Sequence, residues 1–352
     1  MVDTNNYIND KRNIKDFKSH SFSKFKKTDV CKELITCINN QNIESACNWC
    51  AELICAGQFQ DLWEVILISI SKYIAISNPK LPIYISKKFY EFKDIITNGY
   101  IGSELLLRNN MQIRQLFAEI VTILSMSNKT PGFEAIKIKS NDEFLLQHIS
   151  NKLKADNMDY AKCVWRENDA KEIYIAINEI AYYLNKKHNL RDCCYWIEWI
   201  MELDAKCRKK KQNIINECRT FAPVDNKFQN DVIWIVWELI IYNNNNTIIK
   251  KILESLLELF GIRYTYSIKK KRRYLLYFAL QLIIQQSNLS ISIAEPNTID
   301  NCNIMLKNIN QIYKKIKTNE QSPNTEYLEK DIKHVKSNIE KSLEKIKIIG
   351  NL

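Results

Sequence analysis

Two kinds of side chain in this sequence could do chemistry at a recognisable spacing: a pair of thiols and two runs of cations. Cys47-Asn48-Trp49-Cys50 is a C-x-x-C, which in another setting would poise a redox dithiol or supply half a zinc site. Here both sulfurs fall on the apolar face of a helical period, with Cys31, Cys37 and Cys55 as the nearest further donors. In a second block of similar pattern the matching positions are Cys194 and Ile197. A metal site does not tolerate that replacement, whereas a packed core does, so neither a metal nor a cofactor is expected. His20, His148, His188 and His334 have no His or Cys at ligand spacing and read as surface or capping residues. No G-x-x-x-x-G-K-[ST], G-x-G-x-x-G or G-x-S-x-G occurs, and the carboxylates are dispersed. No nucleotide site and no acid–base pair can be named, and the chain reads as a non-enzyme.

The cations are Arg208, Lys209, Lys210 and Lys211, then Lys269, Lys270, Lys271, Arg272 and Arg273, the second run leading into Tyr274, Tyr277 and Phe278. Neighbouring like charges repel by roughly several tenths of a kcal/mol per pair unless solvent or an anion relieves them. A phosphate backbone relieves them by releasing counterions; a nuclear-import signal or a solvated helix start would account for them as well. Residues 1–28 form a basic N-terminal arm in which Lys11, Arg12, Lys15, Lys18, Lys24, Lys26 and Lys27 interleave with Phe17, Phe22 and Phe25. Such a composition suits phosphates and base stacking, or a flexible tail. The net charge of +11 fits a DNA or RNA partner. The chain is also crowded with Lys, Asn, Ile and Tyr and has only 6 Gly and 6 Pro, the drift that AT-rich coding produces in large DNA viruses and some protists.

The elements that must position these residues are helices. With 352 residues, 46% of them hydrophobic, the chain can bury a large core, and so few Gly and Pro leave little punctuation for the turns of a sandwich or barrel. Ile43, Ala46, Cys47, Cys50, Leu53 and Ile54 lie on one helical face behind Asn42, an N-cap candidate, and Gly57 ends that helix. Leu62, Val65, Ile66, Ile70 and Tyr73 mark the next, stopped at Asn78-Pro79, and further helices are expected over 83–97 and 103–127. Thr130-Pro131-Gly132 is the strongest breaker.

After a connector at 131–170 with one or two helices, the pattern returns, and Leu190, Cys193, Cys194, Ile197, Ile200 and Met201 repeat the spacings of the first block. Asn42, Cys47 and Trp49 match Asn189, Cys194 and Trp196 at an offset of 147, and Trp63-Glu64 and Phe117-Ala118 find Trp237-Glu238 and Phe278-Ala279 further on. The agreement fits a degenerate internal duplication, or chance likeness between amphipathic helices in a biased composition. The expected fold is all-α: helical lobes at 29–130 and 171–290, a loop at 291–324, and an amphipathic C-terminal helix at 325–352 that docks on the body or pairs with a partner. Eleven cysteines, mostly in apolar segments, and a polar, basic start argue for a reducing cytosolic or nuclear compartment, with a virion as a further setting. No run approaches a membrane span, so no membrane is expected as a partner.

Cys47-Asn48-Trp49, Ala51, Leu53, Gly57, Ser71, Ile74 and Asn78-Pro79 with Leu81 resemble the helical C-terminal region of RarA-type replication and recombination ATPases, relatives of the clamp loaders. The resemblance covers residues 45–82 and implies a collar or oligomerisation module used in DNA replication or repair. The ATPase motifs that accompany it in that family do not occur here, so it carries over a fold and an assembly role and no catalytic residue. The expected function is therefore a non-catalytic adaptor or homo-oligomerisation protein in nucleic-acid transactions. The alternatives are a scaffold of a large DNA virus without nucleic-acid contact, and an enzyme with an unread motif. On the adaptor reading, Gln at all five positions Lys269 to Arg273 should leave the fold intact and flatten the salt dependence of binding.

Overall fold

The computed structural model describes residues 6–131, 133–138 and 141–321. Helices start where the sequence offers caps. Asn42 Oδ1 accepts the Ser45 amide at 3.2 Å and Asn189 Oδ1 accepts the Asp192 amide at 3.3 Å, each satisfying an orphan donor of the first turn. The two matched asparagines thus do the same work.

The first half contains α1 (Lys27–Asn39), α2 (Ile43–Cys55), α3 (Phe59–Ile68), α4 (Leu81–Thr97) and α5 (Met111–Met126). Gly57 ends α2 at φ 70, and a Cβ there would lie 3.0 Å from Leu105 Cδ2, so glycine is required for both conformation and space. A π-helical turn, Ser69–Ile74, extends α3. The 131–170 connector contains the short α6 (Leu146–Lys152). Glu179 anchors it by accepting the Lys154 and Ala155 amides at 2.9–3.1 Å.

The second half comprises α7 (Tyr174–Tyr182), α8 (Leu190–Lys209), α9 (Ile233–Tyr242), α10 (Thr247–Gly261), the single turn α11 (Ile268–Lys271), α12 (Arg273–Ile284) and α13 (Pro296–Lys317). Among the described residues no strand forms; His20 and Lys26 make an isolated bridge. No described helix is long and apolar enough to cross a membrane. The fold is all-α.

Three expectations change. The 291–324 segment, read as a loop, holds the 22-residue α13. Its buried Ile309, Ile312, Tyr313 and Ile316 face α5 and α2, and the Arg114 guanidinium sits 3.9 Å from the Tyr313 ring centroid. The basic arm is strapped to the body: Phe17 and Phe22 are buried, and the Arg12 guanidinium lies 4.8 and 4.5 Å from their ring centroids. The lobes share one apolar core, with α4 packed on α10 and α12 packed on the π-helical turn. The expected helix at 325–352 lies outside the described residues.

Candidate functional site

The run Lys269 to Arg273 begins in a single helical turn, so its side chains point in several directions. Lys269 and Arg272, three residues apart, face inward and are 2% and 4% exposed. The Lys269 ammonium donates to Asp204 Oδ2 at 2.5 Å and to Asp231 Oδ1 and Oδ2 at 2.6 and 2.8 Å. Tyr264 adds its hydroxyl to Asp231 at 3.0 Å, and burial together with that carboxylate pushes its phenol far above the usual range. Arg208 joins the same cage, donating from Nε to Asp204 Oδ2 at 2.9 Å while its guanidinium stacks 3.6 Å from the Tyr266 centroid. Arg272 binds Glu64 and the carbonyls of Phe260 and Ile262.

These placements correct the assignment of Lys269 and Arg272 to a contact surface. Lys269 and Arg272 are internal struts, because each of their charges is neutralised by a carboxylate brought from elsewhere in the chain. Lys270 pairs with Glu202 at 2.8 Å and Arg273 with Glu198 at 3.1 Å. Lys271 is exposed and 3.9 Å from Glu64. Lys209, Lys210 and Lys211 are exposed at the C-terminal end of α8, where cations complement the helix dipole.

A second set of cations converges where the basic arm meets residues from separate helices. Two adjoining depressions of about 730 and 320 Å³ share Lys27, Asp61, Glu64 and Arg272 and so form one groove. The strap brings Lys15 and Lys18, α1 brings Lys27 and Lys32, α4 brings Lys93, and α11 brings Lys271. The strap is positioned by α2 and the turn that follows it. Gln58 Nε2 donates to the carbonyls of Phe17 and His20, and Glu52 accepts the hydroxyls of Ser21 and Ser23.

Eight cations and four carboxylates line the groove. Lys27 is paired with Asp61 at 2.9 Å, and Arg263 stands 3.9 Å from Glu104. Lys15, Lys18, Lys32 and Lys93 make no ion pair among the described residues, and all four are exposed. The lining of the larger depression also includes Trp63, Phe89 and Phe92, with Trp63 and Phe89 edge to face at 5.0 Å. Tyr90 on α4 is 46% exposed, with the Lys93 ammonium 5.8 Å from its ring centroid. Burial and the neighbouring Glu258 raise its phenol above the usual value.

The C-x-x-C thiols are packing residues. Cys47 is pushed up to about 12 by burial, and Cys50 lies well above the ordinary thiol range for the same reason, so both remain protonated and poorly nucleophilic. Among the described residues no three His, Cys, Asp or Glu side chains group as metal donors. Of the groove residues, Lys15, Lys18 and Lys27 belong to the aromatic-interleaved arm visible in the sequence. Lys32, Lys93, Tyr90 and Arg263 carry no sequence signal, because the groove is assembled from separate elements. Comparison with protein-family models, curated proteins and solved structures finds no match to this chain.

Proposed function

We propose that this protein is a non-catalytic helical adaptor in nucleic-acid transactions that holds a phosphate backbone along the groove between the strap, α1, α4 and α11. The observation that carries the reading is the convergence of Lys15, Lys18, Lys32 and Lys93, none of them ion-paired among the described residues, beside Lys27 and Lys271. Unrelieved cations on one concave surface are what a polyanion stabilises. The fate of the buried carboxylates supports binding over chemistry. Asp169 is bound by Arg219, Glu64 by Arg272, and Glu198 by Tyr277 and Arg273. Such carboxylates are committed to the fold and are poor general bases.

The assembly role implied by the RarA-type resemblance belongs to the same proposal. Its residues Cys47, Ala51, Leu53, Ile74, Asn78 and Leu81 are buried within the chain itself, so a second copy or partner protein would dock on another surface. A second reading, a scaffold without nucleic-acid contact, is favoured by the cations consumed inside the fold.

The test is fluorescence anisotropy of a short labelled oligothymidylate over roughly 50 to 200 mM salt. With six groove lysines engaged, the slope of log affinity against log salt should be roughly −4, at about −0.7 per phosphate on a single strand. Absence of binding at low salt selects the scaffold.

A further inference from the structure

We infer that the larger depression is a nucleobase subsite, which makes single-stranded nucleic acid, rather than duplex, the ligand class; this rests on the backbone contact proposed above. Phosphates alone require a cationic surface. The lining here includes the aromatic side chains Trp63, Phe89, Tyr90 and Phe92, and the volume of about 730 Å³ falls in the range of small-ligand sites. Tyr90 offers a half-open ring to the same space, and Ile14 of the strap is 49% exposed beside it. An aromatic face next to a lysine suits a stacked base joined to a phosphate.

Two unpartnered polar atoms belong to residues in the wall of the depression. Gln58 and Trp63 both line the depression and are 8% and 4% exposed. Gln58 Oε1 and Trp63 Nε1 have no hydrogen-bond partner among the described residues. The orientation of the Gln58 amide is settled by its other end, because Nε2 donates to two strap carbonyls and leaves the oxygen free. Both atoms are enclosed by the fold, so the subsite holds a base by stacking. In a duplex the base faces are covered within the stack, whereas a single strand can splay a base into a pocket.

The experiment compares an oligothymidylate with an abasic strand of equal length and equal phosphate number, binding to the full chain at one salt concentration. The abasic strand should bind roughly tenfold more weakly, the loss of one stacked base. Tyr90→Ala, on an exposed helix position, should weaken the base-bearing strand by a similar factor and leave the abasic strand unchanged, while Tyr90→Phe retains the affinity. Equal affinity of the two strands for the unaltered protein overturns the subsite and leaves the backbone contact standing. Loss of binding by both strands overturns the backbone contact and the subsite with it.

Discussion

Replacing Lys269 by Met keeps the aliphatic stem and removes the charge between Asp204 and Asp231. Those carboxylates are 0% and 1% exposed, and the remaining cation, Arg208, lies 2.9 Å from Asp204 and 3.9 Å from Asp231. One guanidinium at the edge cannot neutralise two buried acids. Removing one partner of a buried pair costs about 3–5 kcal/mol, because the other charge is left without compensation. At about 2 °C per kcal/mol for a large domain, Tm should fall by roughly 6–10 °C. Thermal unfolding followed by far-ultraviolet circular dichroism measures the shift, with urea unfolding as a second readout. Adding Asp231→Asn to Lys269→Met should recover part of the loss, since one unpaired carboxylate is then gone. Lys271→Gln, on the same turn but exposed, should stay within about 0.5 kcal/mol of the parent. A Lys269→Met protein as stable as Lys271→Gln would refute the internal-strut assignment. The expectation that five glutamines over Lys269 to Arg273 leave the fold intact is reversed by the same geometry.

Gly261→Ala should destabilise the end of α10 by about 1–3 kcal/mol in urea unfolding, because the added Cβ would sit 2.8 Å from Pro223 Cγ and 2.9 Å from its carbonyl oxygen. Asn42→Ala and Asn189→Ala should each cost about 1 kcal/mol and, being on separate helices, should be additive in the double variant; strong non-additivity would mean the caps are coupled. Burial lowers Lys129 from 10.5 to about 8, although its ammonium donates to the carbonyls of Leu124, Ser125 and Ser127. Between those two values the unfolded chain binds the extra proton, so this residue's contribution makes stability rise with pH from about 8 towards 10.5. Lys129→Met should flatten that part of the urea-midpoint profile, and an unaltered slope would contradict the assignment.

The helices were legible because their apolar faces and caps are local. Asn42, Gly57 and Asn189 each sit at a helix boundary and act there as their residue types suggest. The helix α13 was hidden by the polar SNLSISIAEPNTIDN stretch, although Ile309, Ile312, Tyr313 and Ile316 already carry the three-and-four spacing of a buried face. The run Lys269 to Arg273 misled for a different reason. A string of five positive residues reads as surface until the carboxylates that neutralise it are known, and Asp204, Asp231 and Glu64 come from other parts of the chain. The groove inverts the case: Lys32 and Lys93 come from α1 and α4 and line one groove only in the folded chain.

The central claim is that the groove, and not the α8 cluster, carries the backbone contact. Two triple variants test it side by side for oligothymidylate affinity across the salt series: Lys15→Gln with Lys18→Gln and Lys93→Gln, and Lys209→Gln with Lys210→Gln and Lys211→Gln. Each removes three exposed charges, so net charge changes equally. The account predicts that the groove variant loses roughly 2 units of salt slope, at about 0.7 per phosphate contact, while the α8 variant keeps the parental slope. Equal losses in both variants, or a loss confined to the α8 variant, would contradict it.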